Sequence, residues 1–445
     1  MKKVITYGTF DMLHFGHINL LKRAKELGDY LIVGVTSEEY DYSRGKLNVS
    51  ESLLTRIENV KKTGLADKII VEEYFGQKIS DIQKYEADIF AIGSDWVGKF
   101  DYLKEYCNVV YLDRTKGVSS TDLRNEKNKI LTMGIVGNGR IAGRFLIESK
   151  YVSGINVDCV YGVEEESLKN FCNKFELNGY YTDYKEFLSK VDAVYIATPH
   201  EAHYPLAKEA LLNGKHVLCE KPMTLKKEQS EELFKIAKDN NLIIQEAIKT
   251  AYAPCFTKLI NVAKSGIIGN IRDVNATFTK LVNDKSLREY NSKYGGSVTE
   301  LSTYPLCVII KLLGTDYKNV TFSSILDQET GVDLYTKINL EYENAMATAN
   351  VGLGVKREGD LVVAGTKGYI YVPAPWWKTE YFEIRFEDTS KVQKFFAKFD
   401  GDGLRYELSD FLNAINKKKN SFKFKNKESI CLATIVDKFL SQREN

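Results

Sequence analysis

Long apolar runs are missing from this chain of 445 residues. No stretch approaches the roughly 20 residues that a helix needs to cross a bilayer, so no membrane partner is expected. The start, MKKVITYGTFD, has too short an apolar part to be a signal peptide. A surplus of either charge is missing too. Lys and Arg number 62 against 60 Asp and Glu, a formal +2 that gives no reason to expect nucleic acid. Paired cysteines are absent. Cys107, Cys159, Cys172, Cys219, Cys255, Cys307 and Cys431 stand singly, with no CxxC. They read as small buried thiols, reduced, in a cytoplasmic protein. There is no internal repeat and no low-complexity segment. Histidine is scarce at five residues, yet two of them stand three apart in GTFDMLHFGH, residues 8–17.

The chain is longer than one hydrophobic core usually extends, so two or three domains are expected. From the N-terminus, strand-like runs alternate with helical ones: KVITYG, HINLLKRAKELG, YLIVGVT, then KIIVEEYF, ADIFAIG and NVVYLDRT. This is the rhythm of βαβ units around a parallel sheet. The text turns polar at DLRNEKNK, read as helix running into a tight junction, and a fresh βα rhythm starts at ILTMGIVGNGRIAGRFLIES. From about residue 270 the runs DVNATFTKLV, DLYTKINLEY, MATANVGL, DLVVAGT and YIYVPA follow with few helices between them. A mostly antiparallel sheet is expected there. The fold class is therefore α/β: a Rossmann-like domain over 1–128, a dinucleotide-binding Rossmann domain over 129–250, and an α+β domain over 251–445.

The first glycine of GTFDMLHFGH lets the chain turn tightly after the opening strand. The next helix is predicted to begin near Phe15, which puts His14 and His17 on one face at its N-terminus, where free N–H groups and the helix dipole attract anions. Alone, such a pair reads as two surface histidines, and the spacing is not that of an HExxH metal site. The context decides otherwise. GTFDMLHFGH, with GSDWVGKFDYLKE at 93–105 and RTKGVSST at 114–121, resembles the cytidylyltransferase type of nucleotidyltransferase, most closely the glycerol-3-phosphate cytidylyltransferases, over about residues 1–125. The resemblance implies that His14 and His17 hold the α-phosphate of CTP and its transition-state charge. It implies that Thr9 and Phe10 contact the nucleotide, and that Arg114 with Ser119, Ser120 and Thr121 holds the triphosphate. SSTD independently reads as a helix N-cap, which would offer N–H groups to phosphates or be a plain capping box. Arg44 and Lys46 match basic positions of the family's mobile loop, Arg44 toward nucleotide and Lys46 toward polyol phosphate, and Lys78 matches a further polyol-phosphate contact. Taken alone, each of the three is a solvated charge. Mg2+ is expected with the CTP. Phe75 stands where the family has Trp, and Gly64 where an Arg is expected. Both departures fall on the acceptor side.

In GIVGNGRIA, residues 134–142, the turn through Gly137, Gly139, Arg140, Ile141 and Ala142 fills a GxGxxA pattern between a strand and a helix, the dinucleotide fingerprint. Glu164, after the next strand, is the candidate for the adenosine ribose. Val163 stands where an arginine would meet a 2′-phosphate, so NAD(H) is favoured over NADP(H). The segment DAVYIATPHEAHYPLAKEALLNGKHVLCEKPMTL, residues 192–225, resembles the glucose-fructose oxidoreductase and inositol dehydrogenase family, a likeness extending over about 131–445. It implies that Thr198, Pro199 and His203 line the cofactor, that Glu220 and Pro222 shape a turn whose proline is often cis, and that Lys221 polarises the substrate oxygen. His200 and His216 read as structural or solvated. In YGGSVTELSTYPLCVIIKLLG, residues 294–314, Glu300 replaces the family's Asp at the substrate, and Tyr304 resembles the proton donor of the diol and xylose dehydrogenases. Its plain reading is a core aromatic. The pair Trp376–Trp377 reads as packing.

Two such sites on one chain imply consecutive steps: reduction of a sugar phosphate or keto-polyol to a polyol phosphate, then cytidylyl transfer from CTP to give a CDP-alditol, a donor for teichoic acid or capsule synthesis. The alternatives are a cytidylyltransferase with a non-catalytic NAD-binding regulatory domain, or an oxidoreductase acting on the CDP-linked polyol. Both families commonly self-associate, so a homo-oligomer is expected by resemblance.

Overall fold

The computed structural model describes residues 1–11, 13–43, 49, 51–74, 76–113 and 130–443. The chain divides into two compact units. The first is Met1–Ile130 with Tyr151–Ile155, and the second is Leu131–Lys150 with Asn156–Asn445.

In the first unit, β1 (Lys3–Gly8), β2 (Tyr30–Thr36), β3 (Lys68–Glu72), β4 (Ile89–Gly93) and β5 (Asn108–Leu112) form one parallel sheet in the order β3-β2-β1-β4-β5. Its helices are α1 (Phe15–Glu26), α2 (Glu38–Ser43), α3 (Leu53–Lys62) and α4 (Gln77–Tyr85). The central strands are apolar throughout because both faces are covered. Val4 and Val33 face one core with Leu21 and Val60, while their neighbours Ile5 and Ile32 face another with Ile82 and Phe90. The strand order reverses between β1 and β4, and ligands of open α/β sheets bind where that reversal parts the loops. The β1–β2 ladder runs to Gly8, whereas β4 pairs with β1 at Val4 and Ile5. GTFD therefore leaves the sheet at the reversal.

The second unit opens with a parallel sheet whose order is β11-β10-β9-β6-β7-β8. Its elements in chain order are β6 (Leu131–Val136), α5 (Arg140–Ser149), β7 (Ile155–Tyr161), α6 (Glu165–Phe175), β8 (Gly179–Tyr181), α7 (Tyr184–Leu188), β9 (Ala193–Ile196), α8 (His200–Leu212), β10 (His216–Glu220), α9 (Lys227–Asp239) and β11 (Ile244–Ala247). The order reverses between β6 and β9. After α10 (Lys249–Tyr252) and α11 (Pro254–Lys264), a sheet of eight strands follows, ordered β13-β14-β15-β12-β16-β17-β18-β19. These are β12 (Ile271–Thr279), β13 (Asn319–Leu326), β14 (Asp333–Glu341), β15 (Met346–Gly352), β16 (Leu361–Gly365), β17 (Gly368–Val372), β18 (Tyr381–Phe386) and β19 (Val392–Phe396). It is antiparallel except between β12 and β15, which run parallel. Two consecutive helices, α12 (Ser297–Leu301) and α13 (Thr303–Leu313), separate β12 from the β13–β14–β15 hairpins. Most of the apolar run TYPLCVIIKLL of α13 is buried.

The last helices, α14 (Leu404–Lys417) and α15 (Asn426–Arg443), return to the dinucleotide sheet. Arg405 of α14 donates from Nε and Nη2 to the two carboxylate oxygens of Glu148 on α5, at 2.8 and 2.7 Å, and both residues are buried. Lys227 at the start of α9 donates its amide to Asp437 on α15 at 3.2 Å. All seven cysteines are free thiols. Among the described residues no helix is long and apolar enough to cross a membrane.

Candidate active sites

At the end of β1 the chain turns through Phe10, whose φ of 51° is unusual for a non-glycine residue and whose ring is buried. A β-carbon on Gly8 would lie 3.0 Å from that ring, so glycine there leaves the space the turn fills. Helix α1 begins at Phe15, as the sequence predicts, with His14 as its N-cap; the amide of Gly16 donates to His14 Nδ1 at 3.1 Å. The rings of His14 and His17 stack 3.9 Å apart, and Phe10 meets His17 edge-on at 5.5 Å. Two imidazoles thus stand together at a helix N-terminus, where developing phosphate charge is favoured.

The turn is held from below by a residue the sequence reading missed. Arg56 of α3 is wholly buried and donates to the carbonyls of Thr9 at 2.8 Å and Thr36 at 2.9 Å, with Asp41 at 3.3 Å. Asp41 also accepts from the hydroxyls of Thr9 and Thr36. The signal was the register: Arg56 shares a face with Leu53 and Val60, the core face of α3.

Lys78, expected at the polyol phosphate, lies on α4. It is buried, its ammonium is ion-paired with Glu72, and it lies 4.6 Å above the Tyr7 ring. The Tyr7 hydroxyl donates to Asp81. A buried ammonium takes the nearest carboxylate rather than standing open for a phosphate. Arg44, Lys46, Phe75, Arg114, Ser119, Ser120, Thr121 and the 122–129 junction lie outside the described residues.

In the second unit Gly137 has φ 98°, and a β-carbon on it would sit 2.7 Å from the carbonyl of Ala197. Gly139 has open space beside it, followed directly by the uncapped start of α5. The buried hydroxyl of Thr198 has no hydrogen-bond partner. A cradle that only glycine permits, open amides and an orphaned hydroxyl fit a dinucleotide pyrophosphate. Arg140 is exposed and Ile141 half-buried at the start of α5, while Ala142 is buried. Glu164 is exposed as the N-cap of α6, beside the fully open Val163. Pro199 caps α8. His203 is fully buried, with Nδ1 2.8 Å from the Pro222 carbonyl and Nε2 2.9 Å from that of Thr198. It braces the two loops rather than presenting a face to a ligand. Burial outweighs those hydrogen bonds and pushes its pKa down, so the ring is neutral.

The Lys221–Pro222 bond is cis. Glu220 accepts from the Tyr195 hydroxyl at 2.6 Å. Lys221 Nζ donates to the Glu300 carbonyl at 2.9 Å and lies 5.7 Å from the Tyr304 ring centroid. The Tyr304 ring meets Phe278 at 5.3 Å, and Phe278 stacks on Trp377 at 4.0 Å. Among the described residues the Tyr304 hydroxyl makes no hydrogen bond. Burial, then Glu220 and Glu407, hold it well above the usual phenol range, so it keeps its proton at neutral pH. Trp376 is packed as expected, its Nε1 donating to Thr277 O.

His200, read from sequence as structural or solvated, is not solvated. It is buried, with Nε2 3.8 Å from the Glu300 carboxylate, whose other oxygen lies 3.7 Å from Arg288. Burial, then His203, Lys221 and Arg288, push its pKa well down. Its spacing of three from His203 was the available signal. Arg288, in an irregular stretch, carried none. His216 is structural: its Nδ1 accepts from the Ile243 amide. Among the described residues no cluster of three or more His, Cys, Asp or Glu could hold a metal.

Comparison with known proteins matches three stretches of the chain. Residues 5–126 match a family described as cytidylyltransferase-like. Residues 131–248 match an oxidoreductase family with an NAD-binding Rossmann fold, GFO/IDH/MocA, and 256–371 its C-terminal domain. A glycerol-3-phosphate cytidylyltransferase of Bacillus spizizenii is 52% identical over 126 residues, 28% of this chain and 97% of that protein. A trans-1,2-dihydrobenzene-1,2-diol dehydrogenase of Xenopus laevis is 25% identical over 328 residues, 69% of this chain and 97% of that protein. A crystal structure of a 3-ketoreductase from Actinomadura kijaniata, in complex with NADP and TDP-benzene, superposes with a TM-score of 0.63 at 22% identity, over 69% of this chain and 96% of that one.

Proposed function

The chain belongs to the cytidylyltransferase-like family in its first unit and to the GFO/IDH/MocA oxidoreductases in its second, and from that fusion we propose a bifunctional enzyme that makes a CDP-alditol. In this reading residues 1–128 are the transferase, 129–250 the dinucleotide domain and 251–445 the substrate domain. The observation that carries it is the pairing on one polypeptide of a stacked His14–His17 pair at a helix start with a Lys221–Tyr304 pair beside a glycine cradle.

In the transfer step a phosphate oxygen of the polyol phosphate attacks the α-phosphorus of CTP, and the bond to the departing pyrophosphate breaks. His14 and His17, with the amides opening α1, stabilise the charge on the transferring group. Arg56 fixes the Thr9 carbonyl and so the turn that presents them. Arg114, Ser119, Ser120 and Thr121 hold the triphosphate, with Mg2+ carried on it; Arg44 and Lys46 complete the charge around nucleotide and acceptor. In the reductive step a bound NAD(P)H supplies the hydride to a carbonyl carbon. Lys221 polarises the carbonyl oxygen, and Tyr304, protonated through the neutral range, gives that oxygen its proton. Glu300 orients the substrate. Glu164 favours NADH, since a carboxylate accepts from ribose hydroxyls and repels a 2′-phosphate; the 3-ketoreductase structure with NADP supports the opposite preference. Its TDP-linked ligand supports the second reading, reduction after loading on the CDP-linked polyol.

The test is a two-by-two incubation. Full-length protein, CTP and Mg2+ meet a panel of sugar phosphates with or without NADH or NADPH, and products are followed by mass. The expected result is a CDP-alditol from a keto- or aldose phosphate only with reduced cofactor. Product solely from preformed polyol phosphates, indifferent to cofactor, would leave a transferase joined to a regulatory or unrelated partner.

A further inference from the structure

Lys249 opens α10, two residues beyond the end of β11. On the neighbouring strand β10, Lys221 is one residue beyond the end, and the register pairs Glu220 with Ala247. The two lysines therefore follow the C-terminal ends of adjacent parallel strands. Thr250 ties α10 to the aromatic wall of the pocket, its hydroxyl donating to the Trp377 carbonyl at 2.7 Å.

Lys249 is half-buried, and among the described residues its ammonium makes no ion pair or hydrogen bond. The charged groups around it are Asp402, Glu220, Glu407 and Lys378. Among the described residues none of the three carboxylates forms a hydrogen bond or ion pair with it, though each favours its charge. Asp402 is 3.1 Å from Lys378 and 3.5 Å from Arg144. Glu220 is taken by the Tyr195 hydroxyl and the Lys221 amide. Glu407 is wholly buried, among the described residues neither carboxylate oxygen is hydrogen-bonded, and burial pushes its pKa well up. Through Trp377, which stacks on Phe278 beside the Tyr304 ring, α10 is tied to the wall that carries Tyr304, and Glu220, Glu407 and Asp402 act on both groups. An unpaired, partly desolvated ammonium in a pocket is costly unless an anion completes it.

We propose that Lys249 is the anion-binding residue of the oxidoreductase pocket and takes a phosphate oxyanion of the substrate. The inference rests on the reductive reading for the identity of that substrate. The phosphate could belong to a free sugar phosphate or to the diphosphate of a CDP-linked polyol.

The experiment compares full-length protein with Lys249→Gln and Lys249→Arg, following NAD(P)H oxidation with sugar phosphates, the same sugars without phosphate, and CDP-linked polyols. A charge-assisted hydrogen bond to phosphate is worth about ten- to hundredfold in affinity. The expected result is a KM raised by about that factor in Lys249→Gln for the phosphorylated substrate, with the KM of its unphosphorylated analogue unmoved and Lys249→Arg largely restored. Which phosphorylated class responds identifies the source. An equal change for both analogues, or none, overturns the proposal. If the parent protein turns over neither class, the reductive reading fails, and the probe becomes inorganic phosphate titrated against the fluorescence of bound NADPH. A response that Lys249→Gln loses and Lys249→Arg keeps supports the anion site; a response identical in all three overturns it.

Discussion

In the proposed reduction Tyr304 is the proton donor and Lys221 polarises the carbonyl. A phenol held well above its usual range by burial stays an acid at neutral pH, which suits reduction, where the carbonyl oxygen gains a proton. Tyr304→Phe keeps the ring against Phe278 and removes only the hydroxyl. The expected outcome is a fall in reductive kcat of about 10²- to 10⁴-fold, with cofactor affinity unchanged in a fluorescence titration. The rate in the reductive direction should show no loss from tyrosine ionisation between pH 7 and 9. The residues that sequence reading reached are those inside contiguous motifs: His14 and His17, Gly137, Lys221 and Tyr304. Arg288 and Lys249 were not legible, and Arg56 was marked only by its register with Leu53 and Val60. A lone basic residue in a sequence defaults to a solvated charge, and what makes these three different is the company brought by distant segments. Arg56 meets a carbonyl 47 residues away.

At the scale of elements, periodicity was a good guide to many of the strands with a buried face. It located the five strands of the first sheet, β6 and β7 of the second, and β12 and β14–β17 of the third, while β8, β11 and β18 were not read. It did not reveal β13 and β19, the edges of the large sheet, whose side chains are mostly exposed. An edge strand with two wet faces has no hydrophobic alternation to read. The contact between α5 and α14 was equally hidden, since neither Glu148 nor Arg405 advertises a partner. Arg405→Ala would leave Glu148 buried and unpaired. The expected cost is about 3–5 kcal/mol, read as a lowered urea midpoint of the second unit. Replacing both, Arg405→Met with Glu148→Leu, should cost much less, because no uncompensated charge then remains.

At the scale of the whole second unit, buried carboxyl groups make stability depend on pH. Glu246 on β11 accepts the Met223 amide at 3.0 Å, and Ser429 also lies against its carboxylate. Burial raises its pKa from 4.5 to about 7. The folded state therefore binds this proton more tightly than the unfolded chain does. The stabilisation is full below pH 4.5 and is lost as pH rises to about 7, a contribution of about 3 kcal/mol. Urea midpoints measured across that range should fall with pH, and Glu246→Gln should flatten the slope. An unchanged slope would assign the effect to other groups, such as Asp333, whose pKa burial raises to about 6.

The clasp between Arg405 and Glu148 also sets an order of events during synthesis. The two residues are 257 positions apart, so at about 5–20 residues per second the ribosome needs on the order of tens of seconds to supply the second after the first. All five strands of the first sheet precede residue 113. The first sheet can be assembled while the dinucleotide lobe still waits for its closing helix, and for that interval Glu148 on α5 lacks the guanidinium that pairs with it in the folded protein.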